Sequence, residues 1–500
     1  MAPETTSAPA TTPRNISIVI GAVATLLFLA SLDQSVVSTA LPTIVADLGG
    51  IEKLSWVVTG YILASTIVAP LYGKLGDLFG RRNMVFLAVS LFLVGSLLCG
   101  LAQSMEMLVA ARLIKGLGGG GLFVLALSVM GDVVSPRDRP RYQGYFAAIF
   151  SISAVAGPLV GGWIVEVLTW HWIFFINLPI GLIAILAFAF GFKPRGIRQA
   201  RKVDWMGAIA LSTTLGALIL VASLGGHAFA WISWQSAALV ALCLAALAAF
   251  IVIEHRVPEP LLPPSLFKIN NIRNATVLTM ASGVTMLGAM TYVPLYLQIA
   301  KGLSPTASGL MVVPLTLGIM TASNIAGRYM SRTGHYRLLP AIGLGVHVVA
   351  ALCLSRLAPD TPLLVFGCLM AFTGLGTGCI GPVLTTVVQN AAPVEHLGSA
   401  TASNVMFRQI GGTMAVAIFG AIFGARLAEG LGAQAGVLAD GGQISPAAIA
   451  AMEPAQRLFV AEIVSNAMHP IYWLTAIIAL GAMVFSFKLR EIPLRSSVGH

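Results

Sequence analysis

GKLGDLFGRR, Gly73 to Arg82, sets three glycines, an aspartate and an arginine pair in a fixed order between two apolar runs. A second loop, GRYMSRTGHYR, Gly327 to Arg337, sits between its own pair of apolar runs. When Gly73 is laid on Gly327, Gly80 falls on Gly334. One chain carrying two such copies describes two related halves, the internal-repeat plan on which secondary transporters are built. The copies have diverged, with Ser331 opposite Asp77 and His335 opposite Arg81.

Composition agrees with a membrane setting. The 500 residues are 57% hydrophobic and 10% charged, and the mean hydropathy is +0.88, whereas soluble domains carry roughly 25% charged residues. The net charge of +10 would suit a nucleic-acid binder if it formed one basic face, but it is scattered in short patches between apolar runs, so no nucleic-acid partner is expected. Cys99, Cys243, Cys353, Cys368 and Cys379 lie inside apolar runs with no CxxC or Cys/His cluster, and neither disulfide nor metal is expected. Residues 1–15 begin with MAPETTSAPATTP, read as a disordered tail rather than a signal peptide.

At about 20 residues per span, helices are expected near 16–41, 54–74, 83–102, 106–130, 141–165, 170–192, 204–223, 231–253, 272–298, 306–330, 337–356, 362–388, 398–425 and 465–488, fourteen in all. One alternating set of connections holds most of the loop lysines and arginines, among them Lys74, Arg81, Arg82, Arg137, Arg139, Arg141, Lys193, Arg195, Arg332 and Arg337. The opposite set holds Lys53, Lys301, Arg356, Arg426 and Arg457. By the positive-inside rule both termini, including the tail 491–500, are cytoplasmic.

At these residues the sequence resembles the major facilitator superfamily, and within it the fourteen-helix drug:proton antiporters. GKLGDLFGRR looks like the superfamily's loop signature. LDQSVVSTALP, Leu32 to Pro42, is similar to the first-helix motif of the drug exporters, with Ser38 where asparagine is more usual. GPLVGG, Gly157 to Gly162, resembles the fifth-helix antiporter motif, and WHWIFFINLPIG, Trp170 to Gly181, resembles a sixth-helix signature of the fourteen-helix branch. The resemblance implies an all-α polytopic fold with six-helix bundles at 16–192 and 272–490, joined by a linker, 193–271, that carries two extra transmembrane helices.

The motif residues also have a physical reading. Asp77 ends a span where a carboxylate can meet a helix N-terminus and gain typically 0.3–1 kcal/mol. In the family that partner is the start of the second bundle's penultimate span, here Gly398 to Ser403. Gly73, Asp77, Gly80, Arg81 and Arg82 are therefore the expected conformational gate, the alternative being a solvated loop charge. Gly157, Pro158, Gly161 and Gly162 remove bulk and one helix hydrogen bond, allowing close packing and a bend. Trp170 and Trp172 fit an interfacial aromatic belt.

Asp33 interrupts an apolar span, where a carboxylate costs roughly 2.5–3.5 kcal/mol. At 1.5 Å per residue it lies about 12 Å from the outer helix end, and Arg112 and Lys115, three apart on one face of the fourth span, lie about 9 and 13 Å deep. The depths match, so Asp33 and Arg112 are the expected proton-coupling pair, against the alternative of a static tie between helices. Burial favours the protonated carboxyl and a neighbouring cation the carboxylate; each pK unit of difference between two conformations is about 1.36 kcal/mol of coupling.

Arg112 and Gly116 resemble the family's fourth-helix motif, with Lys115 where glutamine is more usual. Gln34, Lys115, Tyr292, Tyr296, Asn324 and Arg408, the last in NVMFRQIGG, Asn404 to Gly412, are the cavity candidates. The outer loop 427–462 reads equally as a short hairpin or helix over the outer mouth or as a plain linker, and it is where a periplasmic adaptor protein, if the transporter uses one, would dock.

Together these residues predict a proton-coupled antiporter that exports amphipathic small molecules from a bacterial inner membrane. It would be driven by the proton gradient without a cofactor, its partners being substrate, protons and lipid. A proton-coupled importer on the same fold is the alternative. A membrane enzyme would need a cluster such as HExxH, and a proton-dependent peptide transporter an ExxER motif in its first helix; neither motif is present.

Overall fold

A computed structural model describes residues 13–49, 53–192, 203–226, 229–303, 305–431 and 454–494. The expectations for 1–12, the loop stretch 193–202, the outer-loop stretch 432–453 and the tail 495–500 lie outside the described residues. Among those described no strand forms, and one isolated bridge joins Gly225 and Phe229. Apolar chain in lipid must satisfy its own backbone, which leaves the helix as the available local structure.

The helices are α1 Pro13–Leu48, α2 Leu54–Phe79, α3 Arg81–Gly100, α4 Met105–Val133, α5 Arg139–Val167, α6 Trp172–Phe175, α7 Asn177–Gly191, α8 Trp205–Leu224 and α9 Trp234–Arg256. They continue with α10 Pro264–Lys268, α11 Asn270–Ile299, α12 Pro305–Leu310, α13 Val313–Thr333, α14 Leu338–Leu354, α15 Leu363–Ala391, α16 Leu397–Leu431 and α17 Pro454–Ser486. Side-chain caps start several of them: Ser104 Oγ accepts from Met107 N at 3.2 Å, and Asp204 Oδ1 accepts from Gly207 N at 2.8 Å.

Among the described residues twelve stretches are long and apolar enough to cross a bilayer, with α6 and α7 counted as one. The expected ninth and eleventh spans coincide with α11 and α14, which are not among the twelve; α14 has 17 residues. Several helices overrun the expected spans. α1 starts at Pro13, inside the expected tail, α16 ends at Leu431 and α17 starts at Pro454, so both ends of the expected outer loop are helical. Hydropathy stops at the first polar turn, whereas backbone hydrogen bonding carries a helix through it.

Buried apolar clusters divide along the chain. Two are built almost wholly from residues before 193 and two from residues after 265. The helices α8 and α9 pair with each other, and their buried residues Leu211, Leu215 and Phe250 join Met406 of α16 and Ile67 and Leu71 of α2. Lys74 Nζ of α2 donates to Glu259 beyond α9 at 2.9 Å.

Two close helix approaches position the polar groups. At Gly157 a Cβ would collide with Ser35 of α1, and at Gly161 it would lie 3.0 Å from the Val36 carbonyl oxygen. The small residues of α5 thus let α1 lie against it two residues from Asp33. Gly162 of the same motif faces open space.

Gly157→Val should therefore lower stability by about 1–3 kcal/mol through overpacking, read as a depressed unfolding temperature in nanodiscs. Gly162→Ala should leave that temperature unchanged or slightly raised. Equal loss at both positions would contradict the assigned packing.

Candidate functional site: a buried ion triad and a charged latch

Asp33 is buried, and both of its oxygens are engaged. Arg112 Nη1 donates to Oδ2 at 2.6 Å, and Lys115 Nζ donates to Oδ1. The i, i+3 spacing on α4 puts the two cations on one face, toward α1. Arg112 Nε also donates to the Val57 carbonyl at 3.0 Å, and its guanidinium lies 4.4 Å from the Tyr61 ring centroid. Lys115 Nζ sits 4.8 Å from the Phe92 ring and 5.0 Å from the Phe174 ring. The triad is thus closed by aromatic faces from α2, α3 and α6, which attract cations. Its summed formal charge is positive.

Stripping both cations from a buried carboxylate leaves an uncompensated charge and costs about 3–5 kcal/mol. A change in helix packing that parted Asp33 from its cations would impose the same penalty, unless the carboxyl took a proton. The arrangement is suited to exchanging a cation contact for a proton.

The second charged cluster lies at the end of α2. Asp77 accepts from Gly398 N at 3.1 Å, from Ser399 N at 2.9 Å and from Ser399 Oγ at 3.1 Å. It caps the N-terminus of α16 from the other half of the chain, where helix and carboxylate charges attract. Arg81 Nη2 donates to Asp77 at 2.5 Å and Arg81 Nε to Asp132 of α4 at 3.2 Å. Gly80, at φ 88°, makes the turn that brings Arg81 back onto α2. Gly73 is packed so closely that a Cβ would lie 2.8 Å from the Gly398 carbonyl oxygen. Arg82 donates instead to the Ala189 carbonyl, at 3.2 Å, within its own half.

The degenerate loop makes a second contact at this end. Arg137 Nε donates to the Ser331 carbonyl at 3.1 Å and Arg137 Nη2 to the Arg332 carbonyl at 3.3 Å. A cation at the C-terminus of α13 thus mirrors an anion at the N-terminus of α16. Gln389 Nε2 donates to the Leu127 carbonyl at 3.2 Å, and deeper in, Ser151 Oγ donates to the Thr316 carbonyl at 2.9 Å.

The cavity candidates are not brought to one wall. Tyr296 is fully buried in an apolar cluster, and its hydroxyl donates to the Ala358 carbonyl at 2.8 Å. It presents no free group, because stacking on Phe366 orients it into the second half's core. Tyr292 donates to the Val416 carbonyl at 3.0 Å, and Asn324 Nδ2 donates to the Met320 carbonyl at 2.8 Å. Gln34 is exposed. Lys115 joins the triad, and Arg408 reaches across to Phe123 of α4, 5.6 Å from its ring centroid. Trp170 is buried and donates from Nε1 to Asp47 near the end of α1 at 2.8 Å, while Trp172 is exposed. A separate cavity of about 550 Å³, lined by Arg426, Glu429, His469 and Trp473 among others, contains none of the expected residues.

The sequence reading missed Tyr61, Phe92, Phe174, Asp132 and Arg137. Asp132 lies past the expected end of the fourth span and Arg137 in the loop after it, where charges look solvated, and the three aromatics are unremarkable in apolar spans. Only three-dimensional packing assigns them partners.

Comparison with known proteins gives the family. The Major Facilitator Superfamily model matches residues 23–204 and 199–416. The chain belongs to the major facilitator superfamily. It is a multi-pass membrane transporter of small molecules and not an enzyme. The multidrug transporter protein MdtP of Bacillus subtilis is 38% identical over 402 residues, covering 80% of this chain and 74% of that protein. An uncharacterized MFS-type transporter of Mycobacterium tuberculosis is 36% identical over 489 residues, covering 97% of this chain and 71% of that protein. The fold matches the proton:xylose symporter XylE with a TM-score of 0.64 at 15% identity, over 96% of this chain and 97% of that one. It matches the human organic anion transporter MFSD10 with a TM-score of 0.62 at 16% identity, over 94% and 100%.

Asp77→Ala should remove about 0.5–2 kcal/mol of capping from the state in which α2 touches α16. Single cysteines at the two ends of the interface between the halves, labelled with a membrane-impermeant thiol reagent, should then change reactivity in opposite senses. Unchanged labelling at both ends would reduce Asp77 to a surface charge.

Proposed function

We propose that this transporter is a proton-coupled antiporter that exports amphipathic small molecules across a bacterial inner membrane by alternating access. The observation that carries the reading is Asp33, a mid-span carboxylate buried with both oxygens on cations. Intramembrane ionisable groups mark proton and substrate pathways. In one conformation Asp33 is ionised and paired with Arg112 and Lys115. In the other the pairing is lost and Asp33 carries a proton, so inward passage of the proton accompanies outward passage of cargo. The proton gradient is the energy source, and no cofactor takes part.

The latch contributes the second requirement, a bistable contact. The hydrogen bonds of Asp77, Arg137 and Gln389 join the two halves at the end that carries the basic loops. With both termini on the cytoplasmic side, this is an arrangement closed toward the cytoplasm. The halves 16–192 and 272–490 rock about it, and the count of fourteen spans follows if α11 and α14 cross the bilayer with the twelve longer apolar stretches. The B. subtilis relatives named as a multidrug transporter and a multidrug resistance protein support export of drugs.

Inverted membrane vesicles supplied with a pH gradient and a panel of dyes and drugs provide the test. Asp33→Asn should fall at least about tenfold in gradient-driven uptake, because asparagine keeps the shape and cannot titrate. Asp33→Glu, which keeps a carboxyl one methylene longer, should retain part of the activity. Undiminished gradient-driven transport by Asp33→Asn would remove the residue from the coupling step.

A further inference from the structure

Arg408 lies eleven residues beyond Leu397, the start of α16, about 16 Å along the helix axis. This depth is too great for a chain that snorkels to the basic end, and the guanidinium stacks on Phe123 instead. Among the described residues no carboxylate pairs with Arg408 and no hydrogen bond is made by its side chain. Asp33, the carboxylate at comparable depth, is already held by Arg112 and Lys115.

Asn404 precedes Arg408 by four residues and so lies on the same helix face. It is 4% exposed, and its Nδ2 has no hydrogen-bond partner. Two unsatisfied donors, one of them cationic, therefore share one face near mid-span. The Asn404 amide is buried, where an unpaired donor is costly unless something accepts from it, while the Arg408 side chain is only partly buried.

The neighbouring groups are apolar and small. Phe123 and Phe150 meet edge to face at 5.3 Å and form an aromatic shelf contributed by the first half. A Cβ added at Gly381 of α15 would lie 3.9 Å from Arg408 Nη1. Glycine at that position keeps space beside the guanidinium. Head-group donors come from one half of the chain and the apolar shelf from the other.

We propose that Arg408 and Asn404 bind the anionic head group of an amphipathic organic acid, whose apolar body rests on Phe123 and Phe150, and that such anions are this transporter's preferred cargo. The cargo assignment rests on the export reading; the binding site does not. A guanidinium offers a planar fork to a carboxylate or sulfonate, with Asn404 adding a third donor. A neutral analogue would satisfy the hydrogen bonds without compensating the charge. A cation would add like charge beside Arg408.

The test uses the full chain in nanodiscs and three probes with one ring system, naphthoate, naphthamide and naphthylmethylammonium, with dissociation constants measured by calorimetry. Naphthoate should bind at least about tenfold tighter than the other two. Arg408→Gln should erase that preference, Arg408→Lys should keep it at weaker affinity, and Asn404→Leu should weaken naphthoate binding several-fold in a chain whose charge is unaltered. Asp33→Asn should still bind naphthoate. Equal binding of the three probes, or a preference that survives Arg408→Gln, would overturn the site. Naphthoate binding with no export of it in vesicles would overturn the cargo assignment and leave the site in place. Export of other compounds by a chain with no naphthoate preference would overturn the site and leave the export reading.

Discussion

A carboxylate in the middle of a bilayer has to be paired, and the pairing of Asp33 constrains much of the first half of this chain. Arg112 and Lys115 reach it only because α4 presents both from one face, and because α1 lies close enough to receive them. α1 lies there because Gly157 and Gly161 take the side chains off the facing surface of α5. Tyr61, Phe92 and Phe174 close the remaining sides with ring faces that favour cations. The antiporter-like glycine motif thus has a direct physical consequence: it sets where the ionisable group stands.

The latch uses weaker and more exchangeable interactions. Asp77 caps α16, and Arg137 meets the last carbonyls of α13. Each contact joins a charge to a helix end, worth typically 0.3–1 kcal/mol, and each crosses between the halves. Small terms of this size suit a contact that can break and re-form. The two clusters therefore divide the labour of a secondary transporter, one holding charge and the other holding shape.

Much of this was legible in the sequence, because loop signatures and mid-span charges carry strong local signals. The common offset of Gly73 and Gly327 and the match in depth between Asp33, Arg112 and Lys115 needed only helix geometry. Helix ends were less legible, since α1, α16 and α17 continue through polar turns that hydropathy treats as loop. Tyr292, Tyr296 and Asn324 were chosen by position along a helix, which does not fix the direction a side chain faces; their polar atoms bond to backbone carbonyls instead. Asn404, one turn from Arg408, carried no distinguishing signal beyond its polarity. Its significance comes from an amide nitrogen left without a partner after folding.

The central claim is that Asp33 exchanges its two cations for a proton when the transporter changes state. Infrared difference spectroscopy of the purified protein, recorded between a variant locked by cysteine cross-linking of α2 to α16 and one carrying Asp77→Ala, measures this directly. The account predicts a protonated-carboxyl band in the unlatched protein that is absent from the locked one and absent when Asp33 is replaced by asparagine. A carboxyl spectrum identical in the two states, or a band that persists without Asp33, would contradict it.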